Sequence, residues 1–278
     1  MQEIIAAVSL QWRRPQVMTR FSVSTAWPLP AWRVMTERNG MDLIRSKTSV
    51  PSEPPLVSRR RLLEMLQESL DCCSSTIIAG RAGTGKTILA ADFARFCGRR
   101  VAWYKVDAPD ADLWIFLDYF VKSLVRARPA FGGESLMRAI WASPRVNLSI
   151  LAEAFVDALQ QQNEPLLIVI DDLHLIYDAD WVVPFLHRIL PLLPAEVHLL
   201  ILGRSLPPAP LWRLRSKQRL CVIDEPLLAF SSDEAVKLFA NHGLSAQQAA
   251  SALAQTRGRA AALHTIALQK AGFVQEVA

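Results

Sequence analysis

The sequence predicts an α/β fold, a parallel sheet flanked by helices and followed by a small helical lid. Three observations carry that expectation. From Thr76 onward, short apolar runs alternate with longer amphipathic ones, the rhythm of strands joined by crossover helices. A glycine-rich segment, Gly80 to Thr87, follows the first apolar run and opens a helical stretch. The run Leu166 to Ile170 contains no polar residue and ends in Asp171-Asp172, as a strand buried on both faces of a sheet would.

Taken in order, the strands are expected at Thr76 to Ala79, Val101 to Val106, Leu166 to Ile170, Val197 to Leu202 and Leu220 to Ile223. Helical spacing covers Gly85 to Phe96, Ala111 to Ala127, Leu148 to Gln161 and Ala179 to Leu190, with Pro129, Pro165 and Pro194 marking ends. After Pro226 the strand signals stop. Ser231 followed by Glu234 is a capping box that opens a helix to about Asn241. Ser245 to Thr256 and Arg259 to Ala271, rich in Ala and Gln, continue as helices. The expected regions are therefore an irregular arm over 1–42, an α/β domain over 43–226 and the helical lid over 227–278.

Composition bounds the function. The chain has 278 residues, 51% hydrophobic and 21% charged, as in soluble globular proteins. Its apolar runs fall short of the roughly 20 residues that a bilayer crossing needs. Glu3 precedes the run Ile4 to Leu10, and Arg13 and Arg14 follow it, the reverse of a secretory signal. A cytoplasmic protein without membrane partners is expected. Cys72, Cys73, Cys97 and Cys221 lack metal-ligand spacing, so they are expected to be buried free thiols. The net charge is +5, and the first 40 residues, with five Arg against two Glu, hold more than half of it. The nearly neutral body argues against a nucleic-acid footprint, although Arg213, Arg215, Lys217 and Arg219 form a local basic run.

The chemistry lies in two motifs. Gly80-Arg81-Ala82-Gly83-Thr84-Gly85-Lys86-Thr87 satisfies G-x-x-x-x-G-K-[ST] at every fixed position. Glycines suit it because the loop turns its own N–H groups inward around phosphates, where a Cβ would obstruct the wrap. The following helix adds positive potential at its N-terminus, which includes Ile88. Lys86 is expected to reach the β and γ phosphates of ATP, and the Thr87 hydroxyl to ligate Mg²⁺. The run ending in Asp171-Asp172 delivers two carboxylates where ligands sit in open α/β sheets. Asp171 would hold the Mg²⁺ through water, and Asp172 would orient or polarise the attacking water. Arg204, after the strand Val197 to Leu202, falls at the same edge. It is placed for a γ-phosphate contact or for a surface ion pair. His174, two residues beyond the acid pair, is read as a packed or helix-terminal histidine.

Together these segments resemble the nucleotide-binding module of the MalT-like regulators, members of the STAND class of signalling ATPases. The resemblance runs over roughly residues 43–271. Beyond the two motifs it is carried by Ile44 to Lys47, Val57-Ser58-Arg59, Val101 to Tyr104 with Asp107, and Leu173 to Ile176. Gly203 to Pro208, Leu214-Arg215, Leu228 to Phe230 and Gly258 to Leu268 continue it. It implies a P-loop NTPase fold of the ASCE/AAA-like kind, ATP or ADP with Mg²⁺ as ligands, and slow hydrolysis that resets a switch. It further implies that Arg204 senses the γ-phosphate, that Val57 and Arg59 lie near the adenine, and that the last helices clamp the nucleotide. A Gly-x-Pro motif of related proteins stands here as Gly258-Arg259-Ala260. The class implies self-association in the ATP state, with inducer and DNA read by further C-terminal domains that this sequence does not include, so no direct DNA binding is expected. The chain thus reads as an N-terminal fragment, a truncated product or a stand-alone module. Two alternatives stay open: a nucleotide-binding interaction module that never hydrolyses, and an AAA-type ATPase acting on DNA through the basic run.

Overall fold

A computed structural model describes residues 45–141, 147–161, 164–206 and 219–272, with Pro208, Leu211, Arg213 and Arg215. They belong to the second of two compact units, Asp42–Ala278. The expected arm over 1–42 and much of the basic run lie outside the described residues.

Among the described residues, five parallel strands form one sheet: β1 (Ser75–Ala79), β2 (Arg100–Lys105), β3 (Leu166–Asp171), β4 (Val197–Gly203) and β5 (Leu220–Ile223). Their order is β2-β3-β4-β1-β5. Register aligns Ala79 with Gly203 and Lys105 with Asp171, so the strands that precede the candidate residues end at one edge. Because β4 lies between β1 and β3, Arg204 leaves the sheet between the glycine loop and the acid pair.

Helices cover both faces. The long ones are α1 (Arg60–Cys72), α2 (Lys86–Phe96), α3 (Leu113–Ala127), α4 (Gly133–Trp141), α5 (Leu148–Gln160) and α6 (Val182–Ile189). Alternate residues of β3 serve different layers. Ile168 and Ile170 pack in a cluster with Phe116, Phe120, Phe155 and Phe185 of α3, α5 and α6. Leu167 and Val169 pack with Leu62 and Leu66 of α1 and Leu89 and Phe93 of α2. The strand therefore has no polar position before Asp171 at its end, since neither of its faces meets water.

Two long helices, α1 and α4, were not expected from the sequence, and α3 starts later than expected. The start of α1 has no side-chain cap and no acid in its first turn. The segment of α4 begins at Gly132-Gly133, which has the composition of a loop. A Cβ on Gly133 would lie 2.6 Å from Val121 and 2.7 Å from Val125, so this glycine serves close packing against α3 rather than a turn. Asp112 caps α3 by accepting from Trp114 N and Ile115 N, which starts the helix two residues later than the spacing predicts. The four cysteines are free as expected, but Cys72 is exposed and the other three are only half-buried.

Beyond β5 come α7 (Glu225–Leu228), α8 (Ser232–Ala240), α9 (Ala246–Thr256) and α10 (Ala260–Lys270). The Ser231–Glu234 capping box is formed in both directions. Helices α8 to α10 bury an apolar cluster of their own around Leu238, Phe239, Ala249 and Leu263. No helix among the described residues is long and apolar enough to cross a membrane.

Candidate active site

The glycine loop joins β1 to α2 and needs left-handed backbone twice, at Gly83 (φ 78°) and Gly85 (φ 86°). Thr84 Oγ1 donates to Arg81 O at 2.9 Å and tightens the turn. Gly85 caps α2 without a side-chain acceptor, and no acid lies in the first turn. The N-terminus of α2, which includes Thr87 and Ile88, therefore has no acid of its own against its positive end, a setting for an anion. Lys86 is buried and donates its Nζ to Gly80 O at 2.6 Å and Arg81 O at 3.1 Å. Burial lowers its pKa, while Asp172 and Asp171 oppose that effect and Arg204 adds to it.

Asp171, 1% exposed, ends β3 and accepts from Thr87 Oγ1 at 3.0 Å and 3.3 Å. Burial, reinforced by Asp172, pushes its carboxyl up to about 6. A cation here would relieve that penalty. Mg²⁺ takes oxygen ligands and usually keeps several waters, so Thr87 Oγ1 and, through water, the Asp171 carboxylate would serve it. The donor set is all oxygen and hard, so these residues fit that ion. Asp172 follows in left-handed backbone, φ 58° and ψ 27°, with Oδ1 3.8 Å from His174 Nδ1. Arg204 is exposed just beyond β4, near enough to act electrostatically on both Lys86 and His174.

Beside the loop opens a cavity of about 240 Å³, largely apolar in its lining. It is lined by Pro55, Leu56, Val57 and Arg59, by Gly83, Gly85, Ile88, Leu89 and Asp92 of the loop and α2, and by Phe230, Leu238, Ala260, Ala261 and His264. Leu56 and Ile88 are 52% and 50% exposed, and both border this space. A flat heteroaromatic base suits such walls. Besides lining the cavity, Arg59 donates to Thr84 O at 3.3 Å and to Leu228 O, and it stacks 4.7 Å from the Phe230 ring. It thus ties the loop to the segment leading into α8.

The C-terminal helices touch the loop directly, which sequence reasoning did not resolve to residues. Ala261 N donates to Gly83 O at 2.9 Å. Arg259 donates to Ala82 O through Nη2 at 2.7 Å and Nε at 3.2 Å. Glu225 accepts from Arg81 N at 2.9 Å and pairs with the Arg81 guanidinium. Asp92, which accepts from Ser58 Oγ at 2.8 Å, and His264 also join the site unannounced. Of these, Arg259, Ala261 and His264 lay within Gly258 to Leu268, a segment that the sequence had singled out as a whole, whereas Glu225 and Asp92 carried no signal of a site.

The AAA ATPase domain family matches residues 55–202. The HTH-type transcriptional regulator MalT of Vibrio cholerae serotype O1 is 27% identical over 216 residues, 77% of this chain and 24% of that protein. MalT of Serratia proteamaculans is 32% identical over 234 residues, 81% of this chain and 25% of its own. The chain spans about a quarter of the length of these curated relatives. Among solved structures, a STAND protein with a tetratricopeptide repeat sensor from Pyrococcus horikoshii shares the fold. Its TM-score is 0.53 at 18% identity, over 82% of this chain and 34% of that one.

Proposed function

We propose that this chain, which belongs to the AAA ATPase domain family, is the nucleotide-operated switch module of a MalT-like regulator, binding ATP and hydrolysing it slowly. The observation that carries the reading is the convergence of Lys86, Thr87, Asp171, Asp172 and Arg204 at one sheet edge, next to an apolar cavity of base size. Each residue has a distinct task. The loop N–H groups and Lys86 receive the phosphates, and their positive potential offsets the charge that develops there. Thr87 and Asp171 would hold Mg²⁺, which when bound neutralises phosphate charge. Asp172 orients the attacking water. Arg204 approaches the γ-phosphate from β4, its planar guanidinium matching phosphate oxygens. Val57, Ile88 and Phe230 enclose the adenine, and α8 to α10 act as a lid over it. Self-association of the ATP form and a cytoplasmic location belong to the same reading.

Two measurements test it. Lys86→Met should abolish binding of a fluorescent ATP analogue, and an unchanged affinity would sink the assignment of the site. Single-turnover phosphate release should fall in Asp172→Asn while ATP affinity is retained. Equal background rates in wild type and variant would favour a module that holds nucleotide without turning it over.

A further inference from the structure

Two thiols stand side by side where α1 passes into β1, at the opposite end of the sheet from the phosphate loop. Cys72 ends α1, and Cys73 follows it in extended backbone, φ −126° and ψ 154°. Their sulfurs lie 3.5 Å apart, in contact, with Cys72 exposed and Cys73 half-buried. A disulfide is about 2.05 Å long, so closure brings the two sulfurs about 1.5 Å closer. Sequence neighbours keep their Cα atoms about 3.8 Å apart across a trans peptide, below the roughly 4.4–6.8 Å at which disulfides usually form. A bond made there is strained and easily reduced, as labile and regulatory disulfides are. The backbone that must absorb the strain is already engaged. Cys73 N donates to Ser69 O at 2.9 Å, and Cys73 O accepts from His198 Nδ1 at 3.1 Å. Behind them Ser69 Oγ, Thr76 Oγ1 and His198 Nε2 form a buried chain of hydrogen bonds from α1 through β1 to β4.

We propose that Cys72 and Cys73 form a reversible oxidation site, closing to a vicinal disulfide by exchange with a small disulfide such as oxidised glutathione. The exposed Cys72 thiolate attacks one sulfur of the oxidant, making a mixed disulfide and releasing the first small thiol. The Cys73 sulfur then attacks Cys72 Sγ and releases the second. Two protein thiols are thereby oxidised, one small disulfide is reduced to two thiols, and the two protons pass to those leaving groups. The order of attack follows from the surroundings. Burial, with Cys72 and then Cys221 beside it, pushes the Cys73 thiol up to about 11, so it stays protonated while Cys72 reacts. Once Cys72 is bound in the mixed disulfide it carries no charge, and its share of that effect on Cys73 disappears. The ring closed between adjacent residues removes little freedom from the unfolded chain, so its strain on the folded state is not offset. Oxidation therefore lowers stability, and reduction restores it.

The test uses the whole chain and excess oxidised glutathione. Wild type should lose two of its four free thiols. The tryptic peptide from Leu62 to Arg81, which holds both sulfurs, should become lighter by two hydrogen atoms and resist alkylation. The melting temperature should fall as the ring closes. Reduced glutathione should return both thiols and the original melting temperature. Cys72→Ser and Cys73→Ser, conservative changes at the end of a surface helix, should each form no ring, and their melting temperatures should not follow that cycle. A reaction that stops at glutathione attached to Cys72 would overturn the proposal. So would a link from Cys73 to Cys221, seen as this peptide joined to the one from Leu220 to Lys237, or chains joined to one another through Cys72. A ring that reduced glutathione fails to open, or that leaves the melting temperature unmoved, would refute the strain on which its reversibility rests.

Discussion

Removing the Arg259 guanidinium should accelerate nucleotide release without deleting any group proposed to touch phosphate. Its Nη2 and Nε both donate to one carbonyl, Ala82 O, at 2.7 Å and 3.2 Å. A charge-assisted bond of this kind contributes about 1.5–3 kcal/mol when buried. Arg259 is exposed, so about 1 kcal/mol is the appropriate figure here. That corresponds to about fivefold in an equilibrium or rate constant. If the C-terminal helices must leave the loop before nucleotide can, Arg259→Ala raises the dissociation rate of a fluorescent ADP by about fivefold in a stopped-flow chase. Gly258→Ala should act more strongly. Its φ of +76° is strained for alanine, and the new Cβ would lie 2.8 Å from Phe230 N, whose bond to Gly258 O anchors the start of α10. Wild-type release rates in both variants would refute the argument that these helices hold the loop.

Two further predictions come from groups at opposite ends of the strands. Chelating Mg²⁺ should weaken ATP binding to wild type, and Thr87→Val, which loses the hydroxyl beside Asp171, should lower affinity and blunt the response to chelator in a calorimetric titration. Burial pushes His198, held between Thr76 Oγ1 and Cys73 O, down to about 4. Its depressed folded pKa makes stability complete above about pH 6.5 and lost as pH falls toward 4, by about 3 kcal/mol. Melting curves across that window should show His198→Gln less acid-sensitive than wild type, and parallel curves would exclude this cause.

What could be read from the chain was whatever a short segment decides by itself. Strand β3 was legible because burial on both faces leaves one unbroken apolar run, and the glycine loop because its backbone demands fall on consecutive residues. Helix α4 was hidden because Gly133 answers to Val121 and Val125 of another helix, a relation that no local window contains. The exposure of Cys72 is a similar case, since composition marks cysteine as apolar while the exposed end of α1 decides where it points. In the site, Lys86, Thr87, Asp171 and Asp172 announced themselves by motif. The bond from Ala261 N to Gly83 O could not, because it engages backbone only and an alanine carries no side-chain signal.

This division of the site between sheet edge and C-terminal helices bears on how a switch could distinguish ATP from ADP. A ligand shifts a conformational equilibrium only through contacts that differ between the two states. Helix α10 meets the loop at Gly83 and the cavity through Ala260, Ala261 and His264, features that ATP and ADP would occupy alike. On the proposed reading, the groups able to tell the nucleotides apart are those assigned to the γ-phosphate: Lys86, Asp172 and Arg204, which act electrostatically on one another. In that reading Lys86 also serves the β-phosphate and Asp172 would repel a further anion, which leaves Arg204, just beyond the strand between loop and acid pair, as the group that would favour the triphosphate. Arg204→Ala should therefore leave ADP affinity within about twofold while lowering ATP affinity by about fivefold, the roughly 1 kcal/mol of an exposed charge-assisted contact. Competition titrations of the two nucleotides measure the ratio directly. An ATP-to-ADP ratio equal to wild type would mean that discrimination is made elsewhere than at the end of β4.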